Sequence, residues 1–255
     1  MTTERAARPL LRAGRSLGRL ILGAARRMRR ALDDLVLGAT CAGCGTPGSV
    51  LCEVCADHLE GLPGLLTTRV GVPPVVACGP YRGTLRQVII ASKDRGVRSL
   101  ARPLGVLAAR QASRHLPTGG RVLLVPVPSS PAAVRRRGYD HVGELSRVVA
   151  LTLRGRGVRV RVRHGLVRVR RVRDQAGLGR DERLGNQSGS MRWRGAPPNA
   201  PVVIIDDIVT TGATLREACR AVAAAGGRPL LVVALAHTAL SRPDAELRPT
   251  GERPA

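Results

Sequence analysis

"VVIIDDIVTTGAT", residues 202–214, places two adjacent carboxylates at the end of an apolar run and follows them with three threonines and a glycine. The β-branched start reads as a strand buried on both faces. "TLREACRAVAAAGG", beginning at Thr214, reads as a helix closed by glycine. Between them, Thr210, Thr211, Gly212, Ala213 and Thr214 must form a tight turn into that helix, where free N–H groups and the helix dipole make a nest for a phosphate. Carboxylates would repel a phosphate, so Asp206 and Asp207 should face neutral hydroxyls a short distance away. A phosphorylated sugar meets both demands: its 5-phosphate in the threonine loop, its ribose 2- and 3-hydroxyls on the two aspartates.

Outward from this stretch, helical and apolar extended patterns alternate. "YRGTLRQVIIASKDRG" suggests a short helix carrying Lys93, and "SLARPLGVLAARQA" a second. "RVLLVPVP", residues 121–128, suits a buried strand ending at a proline-closed loop. "GELSRVVALTLRG" reads as a helix ended by Gly155, and "PLLVVALA" as a further strand. Alternation of this kind predicts an α/β domain with a mainly parallel sheet flanked by helices, over residues 70–240, with ligands at the carboxyl ends of the strands. "VRVRVRHGLVRVRRVR", residues 158–173, predicts a strand or hairpin with one aliphatic and one guanidinium face, either a solvated outer face or a nucleic-acid ribbon. "DQAGLGRDERLGNQSGSM" after it reads as a mobile loop.

Four of the six cysteines, Cys41, Cys44, Cys52 and Cys55, form two Cys-x-x-Cys knuckles joined by a short glycine- and proline-containing loop. Disulfides or a redox pair are the alternative, but paired knuckles without a secretory signal favour a structural zinc site, closed to water by four thiolates. This module is assigned to residues 38–66. His58 reads as a surface helix residue, and Cys78 and Cys219 as small buried hydrophobes. Residues 1–37 read as a basic leader helix with an apolar stretch too short to cross a bilayer, and 241–255 as a disordered tail. These features together predict a cytoplasmic protein without a transmembrane segment.

The 255 residues carry 42 basic against 18 acidic side chains, a net charge of +24, and Lys93 is the one basic residue that is not arginine. Such a charge suits polyanionic partners, although a general arginine bias would produce the same count. Aromatic residues make up only 1% of the chain, so base-stacking platforms are scarce and any nucleic-acid binding must be electrostatic and salt-dependent.

The 202–214 stretch closely resembles the phosphoribosyl-pyrophosphate motif of type I phosphoribosyltransferases. With the four-cysteine knuckle, Tyr81 and Gly83 upstream of Lys93, "VPVPSSPAAVRRRGYDH", and Gln175, Leu178, Arg183, Asn186 and Gly189 in one loop, residues 38–238 are similar in order and spacing to the bacterial ComF family of competence-associated proteins. The resemblance implies that Val127, Pro128 and Ser129 begin a loop near the pyrophosphate and that Arg135, Arg137, Gly138 and Tyr139 continue it, with Arg137 offsetting leaving-group charge beside the catalytic Asp206 and Asp207. It implies Mg²⁺ with phosphoribosyl pyrophosphate or a nucleotide, phosphate contacts from Lys93 and Arg183, and an acceptor hood containing Gln175 and Asn186. It also implies a role in DNA uptake, with single-stranded DNA or a helicase as possible partner, either as a transferase or as a non-catalytic DNA handler or scaffold. Asp140-His141 departs from the Asn-Gln more usual in the family. That change implies altered acceptor or metal preference, lost turnover, or a surface pair with no role.

Overall fold

The computed structural model describes residues 39–169, 189–238 and 248–249. The leader segment 1–37, most of the loop holding Gln175, Leu178, Arg183 and Asn186, and the tail 241–255 apart from two residues lie outside the described residues. The chain divides into two compact units, Met1–Cys52 and Glu53–Ala255.

In the first unit the described backbone is the knuckle itself. A bridge pairs Thr40 with Pro47, and Cys41 N–H donates to the Thr46 carbonyl at 2.8 Å. Gly45 and Gly48 adopt φ of 81° and 113°, which a side chain would strain, so the loop turns sharply enough to return Cys52 towards Cys41.

The second unit opens with helix α1 (Glu53–Glu60) and two antiparallel strands, β1 (Leu65–Arg69) and β2 (Val72–Pro80). Helix α2 (Gly83–Lys93) and, after a single 3₁₀ turn, α3 (Ala101–Ser113) follow. Next come β3 (Arg121–Pro126), a short α4 (Pro131–Arg137), α5 (His141–Gly155) and β4 (Arg159–Val162). The chain continues through β5 (Leu166–Arg168), β6 (Met191–Trp193), β7 (Val202–Val209), α6 (Ala213–Ala224), β8 (Pro229–His237) and β9 (Arg248–Pro249).

The main sheet runs in the order β4-β3-β7-β8-β2-β1-β9 and is parallel from β4 through β2. The antiparallel β1 and β9 complete one edge. Strand β7 is central because its residues are apolar on both faces; Val202 through Ile205 are all fully buried. Val202 and Ile204 pack with Leu215, Ala218 and Val222 of α6, together with Leu166 and Met191 of the small β5–β6 sheet. Side chains alternate along a strand, so Val203 and Ile205 point to the opposite face, which α3 and α5 help to cover.

Strand β2 carries Pro73 and Pro74 yet lies inside the sheet, because they stand at its start, before the parallel register with β8 is established at Val75↔Val232. Two differences from the sequence expectations have local causes. Residues 158–169, the described part of the valine-arginine segment, do not make one hairpin: β4 joins the main sheet, and after His164-Gly165 the chain leaves it for β5, paired antiparallel with β6. The segment read as a continuing pyrophosphate loop is helical over Pro131–Arg137. Ser130 caps it by accepting the Ala133 N–H at 3.2 Å, and Gly138 closes it at φ 74°.

Candidate functional site

The carboxyl ends of β3 and β7 and the starts of α5 and α6 converge with the end of α2. Asp206 and Asp207 belong to β7 itself rather than to the loop beyond it. Strand alternation therefore directs them to opposite faces. Asp206 lies on the face carrying α6 and the β5–β6 hood, where Arg168 is its nearby counter-charge. Asp207 lies on the other face, where Lys93 Nζ approaches its Oδ2 at 2.7 Å.

This asymmetry gives the two acids different electrostatics. Burial pushes Asp206 up to about 7, and the Asp207 carboxylate adds to the rise. The Asp207 N–H, which donates to Asp206 Oδ1 at 2.8 Å, then Lys93 and Arg168 act in the other direction. Asp207 is 7% exposed and compensated by its lysine. One site thus holds a reluctant anion and a neutralised one, side by side.

Beyond β7, Gly212 stands immediately before α6 at φ 78°, a left-handed conformation that a side chain would oppose. Thr211 Oγ1 accepts the Ala213 N–H at 3.4 Å, and the Thr214 amide belongs to the first turn, whose N–H groups have no acceptor within the helix. Thr210 is exposed, Thr211 and Thr214 are half-buried, and Gly212 and Ala213 are buried. The nest expected from the sequence therefore has the required backbone: Gly212 at the N-cap supplies no side chain, and the long Thr211 contact engages the Ala213 amide.

On the β3 side, Val127 is buried and continues the pairing to β7, its N–H donating to the Ile205 carbonyl at 2.9 Å. Pro128 offers its carbonyl to Arg168 Nε at 2.9 Å, and Ser129 Oγ donates to Asp140 Oδ1 at 3.0 Å. Arg135 is exposed. Arg137 is drawn inward, its side chain 10% exposed and its Nη2 3.3 Å from Asp94 Oδ1. Lys93, Asp206, Asp207, Arg137 and the 127–129 and 210–214 loops thus come together at one end of the sheet; Arg183 lies outside the described residues.

Two residues of this neighbourhood are placed differently from what the sequence led one to expect. Arg168 was read on a guanidinium face, either solvated or a nucleic-acid ribbon, but it is half-buried, bridges the hood to the Pro128 carbonyl and faces Asp206. Its position after the His164-Gly165 break was the available signal, since the break shifts it from the edge strand into the hood. His141 is not a surface residue: it is 1% exposed at the start of α5. Burial pushes its ring down from the usual histidine range, with Asp207 opposing and Lys93 and Arg137 reinforcing.

The four cysteine sulfurs at 41, 44, 52 and 55 all lie within 4.8 Å of one another, a spacing compatible with a tetrahedral zinc ion. Burial raises the Cys41 thiol, but the N–H groups of Cys52, Cys44 and Gly43 and the Cys52 side chain outweigh it and hold the group at about 6. A sulfur so easily deprotonated suits metal ligation. Cys78 and Cys219 are buried, and burial pushes both thiols up to about 12, as small core residues require. Among the described residues no helix is long and apolar enough to cross a membrane.

No curated protein matches the chain. Residues 132–251 match the family described as the phosphoribosyl transferase domain. The match spans α5, the hood, β7, the threonine loop, α6 and β8, so the arrangement at the carboxyl end of β7 lies within a stretch similar to phosphoribosyl transferase domains, accompanied in this chain by a four-cysteine cluster.

Proposed function

We propose that this domain binds phosphoribosyl pyrophosphate, or a nucleotide carrying the same phosphoribosyl unit, together with Mg²⁺, and transfers the phosphoribosyl group to a nitrogen acceptor. The observation that carries this reading is the juxtaposition, at one strand end, of two carboxylates with a threonine-glycine helix start whose N-cap is Gly212. The 5-phosphate would rest on the amides of residues 211–214 and the threonine hydroxyls. Asp206 and Asp207 would accept from the ribose diol, and Arg137, with Lys93, would meet the pyrophosphate beside the Val127–Ser129 loop. Arg135 and Arg183 are proposed as outer phosphate contacts.

These groups favour departure of pyrophosphate from the anomeric carbon because negative charge grows on the leaving oxygen as that bond breaks, and fixed guanidinium and ammonium groups stabilise it. Bound Mg²⁺ would supply further charge neutralisation at the pyrophosphate and ribose hydroxyls. Lys93 already holds Asp207, so an entering phosphate must share its three ammonium N–H donors or displace that ion pair.

Calorimetric titration of the full chain with phosphoribosyl pyrophosphate and Mg²⁺, followed by pyrophosphate-release assays with nucleobase acceptors, tests the proposal. Binding that is lost in the Asp206→Asn/Asp207→Asn variant supports it. Wild-type protein that binds neither phosphoribosyl pyrophosphate nor a nucleotide refutes it.

A second reading is favoured by a groove of about 540 Å³ lined by Arg121, Arg154, Arg159 and Arg161 near the amino ends of β3 and β4, remote from the aspartates. Arg121 and Arg159 are register partners, and like charges set opposite one another are destabilising without an anion. On this reading the chain is a cytoplasmic ComF-like protein handling single-stranded DNA during uptake, with a helicase as possible partner and catalysis dispensable. DNA binding that falls with salt, survives the double aspartate change and is lost on Arg159→Ser/Arg161→Ser would support it.

A further inference from the structure

Four buried polar atoms without a hydrogen-bond partner among the described residues gather under the Lys93–Asp207 pair: Ser92 Oγ, Arg137 Nε and both ring nitrogens of His141. Their proximity follows from the contacts around them. The Ser92 carbonyl accepts the Tyr139 hydroxyl, Arg137 reaches Asp94, and the Tyr139 and His141 rings meet edge to face with centroids 6.3 Å apart. Buried polar atoms left unpaired each cost about 1–3 kcal/mol. Their concentration where α2, α4, α5 and β7 meet leaves several hydrogen-bonding groups there to be satisfied by a polar ligand or by water.

His141 is the titratable member of this group. The charged side chains around it are Asp207 on β7, Lys93 on α2, Arg137 on α4 and Asp140 just before its own helix. With Lys93 beside Asp207, two cations and a burial penalty oppose protonation of the ring, so the empty pocket holds it neutral. A pyrophosphate group changes each of these influences in one direction. It would offer Lys93 and Arg137 new anionic partners, bring negative charge of its own, and loosen the hold of Lys93 on Asp207.

We propose that His141 is a specificity-determining residue of this pocket: it takes up one proton from solvent when a pyrophosphate-bearing ligand draws Lys93 from Asp207, so the pocket favours ligands of high negative charge and holds them more tightly as pH falls. The proton goes to a ring nitrogen that has no partner in the empty pocket, and the new N–H donates to Asp207 or to a phosphoryl oxygen. The one bond formed is that N–H, its proton coming from hydronium or the protonated buffer, and no ligand bond is broken. The inference rests on the phosphoribosyl pyrophosphate reading above.

The test is calorimetry of the full chain with phosphoribosyl pyrophosphate and Mg²⁺ in buffers of low and high ionisation enthalpy, repeated across pH. Wild-type protein should take up about one proton more per ligand than His141→Gln, and its affinity should weaken by up to about tenfold per pH unit as pH rises between the ring's free and bound pKa values. The ligand's own phosphate titration appears equally in both proteins and cancels in the comparison. Ribose 5-phosphate, which lacks the pyrophosphate, should show no difference between them. Should His141→Gln fail to fold, carbon-13 ring resonances of the wild-type histidines decide the matter: one imidazole must change from neutral to protonated on ligand addition. Binding with equal proton uptake in the two proteins, or with no ring change, overturns the inference and leaves the pocket standing. Absence of all binding by wild-type protein overturns both.

Discussion

Asp206 concentrates the conflict between stability and function. Its carboxyl is raised to about 7 by burial and by its neighbour, well above its unfolded value. A group raised in this way contributes stability that is complete below the unfolded pKa and is lost as pH climbs through the folded one. The ligand-free protein should therefore melt progressively lower as pH rises from about 4 towards about 7. Asp206→Asn should flatten that dependence and raise the melting temperature at neutral pH while abolishing ligand binding. Thermal melts across that range check it, and an Asp206→Asn profile parallel to wild type would contradict the assignment. Lys93→Ala removes the partner of a mostly buried carboxylate; because Lys93 is a quarter exposed, the expected cost is about 1–2 kcal/mol. Most of it should be recovered in Lys93→Ala/Asp207→Asn, as a double-mutant cycle in denaturant would show. At this scale the sequence singled out these two carboxylates and this lysine as candidates. It could not show that Lys93 and Asp207 neutralise one another, nor that His141 is enclosed, since both facts depend on where α2 ends relative to β7.

Among the elements, the hood is the piece whose position depends most on a single side chain. Glu217 of α6 is 3% exposed and accepts the Met191 N–H at 2.8 Å and both Arg220 Nε and Nη2, while Arg220 also donates to the Met191 carbonyl. Burial would raise this carboxyl, but Arg220 and the amides of Met191 and Gly189 hold it below the usual range. Glu217→Gln should cost about 1–3 kcal/mol by leaving these donors poorly matched. It should also raise hydrogen exchange in β6 more than in β7, an outcome that separates hood loosening from general destabilisation. Gly165 serves the same unit by close approach: a Cβ there would lie 2.4 Å from the Trp193 ring, so Gly165→Ala should displace the indole and lower binding without touching the aspartates. Long, apolar, periodic elements such as β7, α5 and α6 were legible because burial on one or both faces imposes a period on the residues. The 158–173 segment was misread because alternation reports a face, not a partner. The same valine-arginine pattern serves an edge strand before Gly165 and the hood after it.

At the scale of the whole molecule, the four-cysteine cluster can be tested for metal on its own. Chelator treatment should release about one zinc per chain and alter exchange in residues 41–55 far more than in the parallel sheet, because a structural zinc site draws its stability from the ligated metal. Metal analysis with exchange mass spectrometry would show it, and a metal-free native protein would remove the assignment. The α/β alternation, the four-cysteine knuckle and the strand-turn-helix of residues 202–214 were all readable from residue order, because each depends on spacings within a short stretch where backbone geometry leaves few alternatives. The division of Asp206 and Asp207 between two faces, the pairing of Lys93 with Asp207, the recruitment of Arg168 and the burial of His141 were not. Those features arise where strand and helix ends from distant parts of the chain meet, and a linear spacing carries no information about which charges burial will bring into contact there.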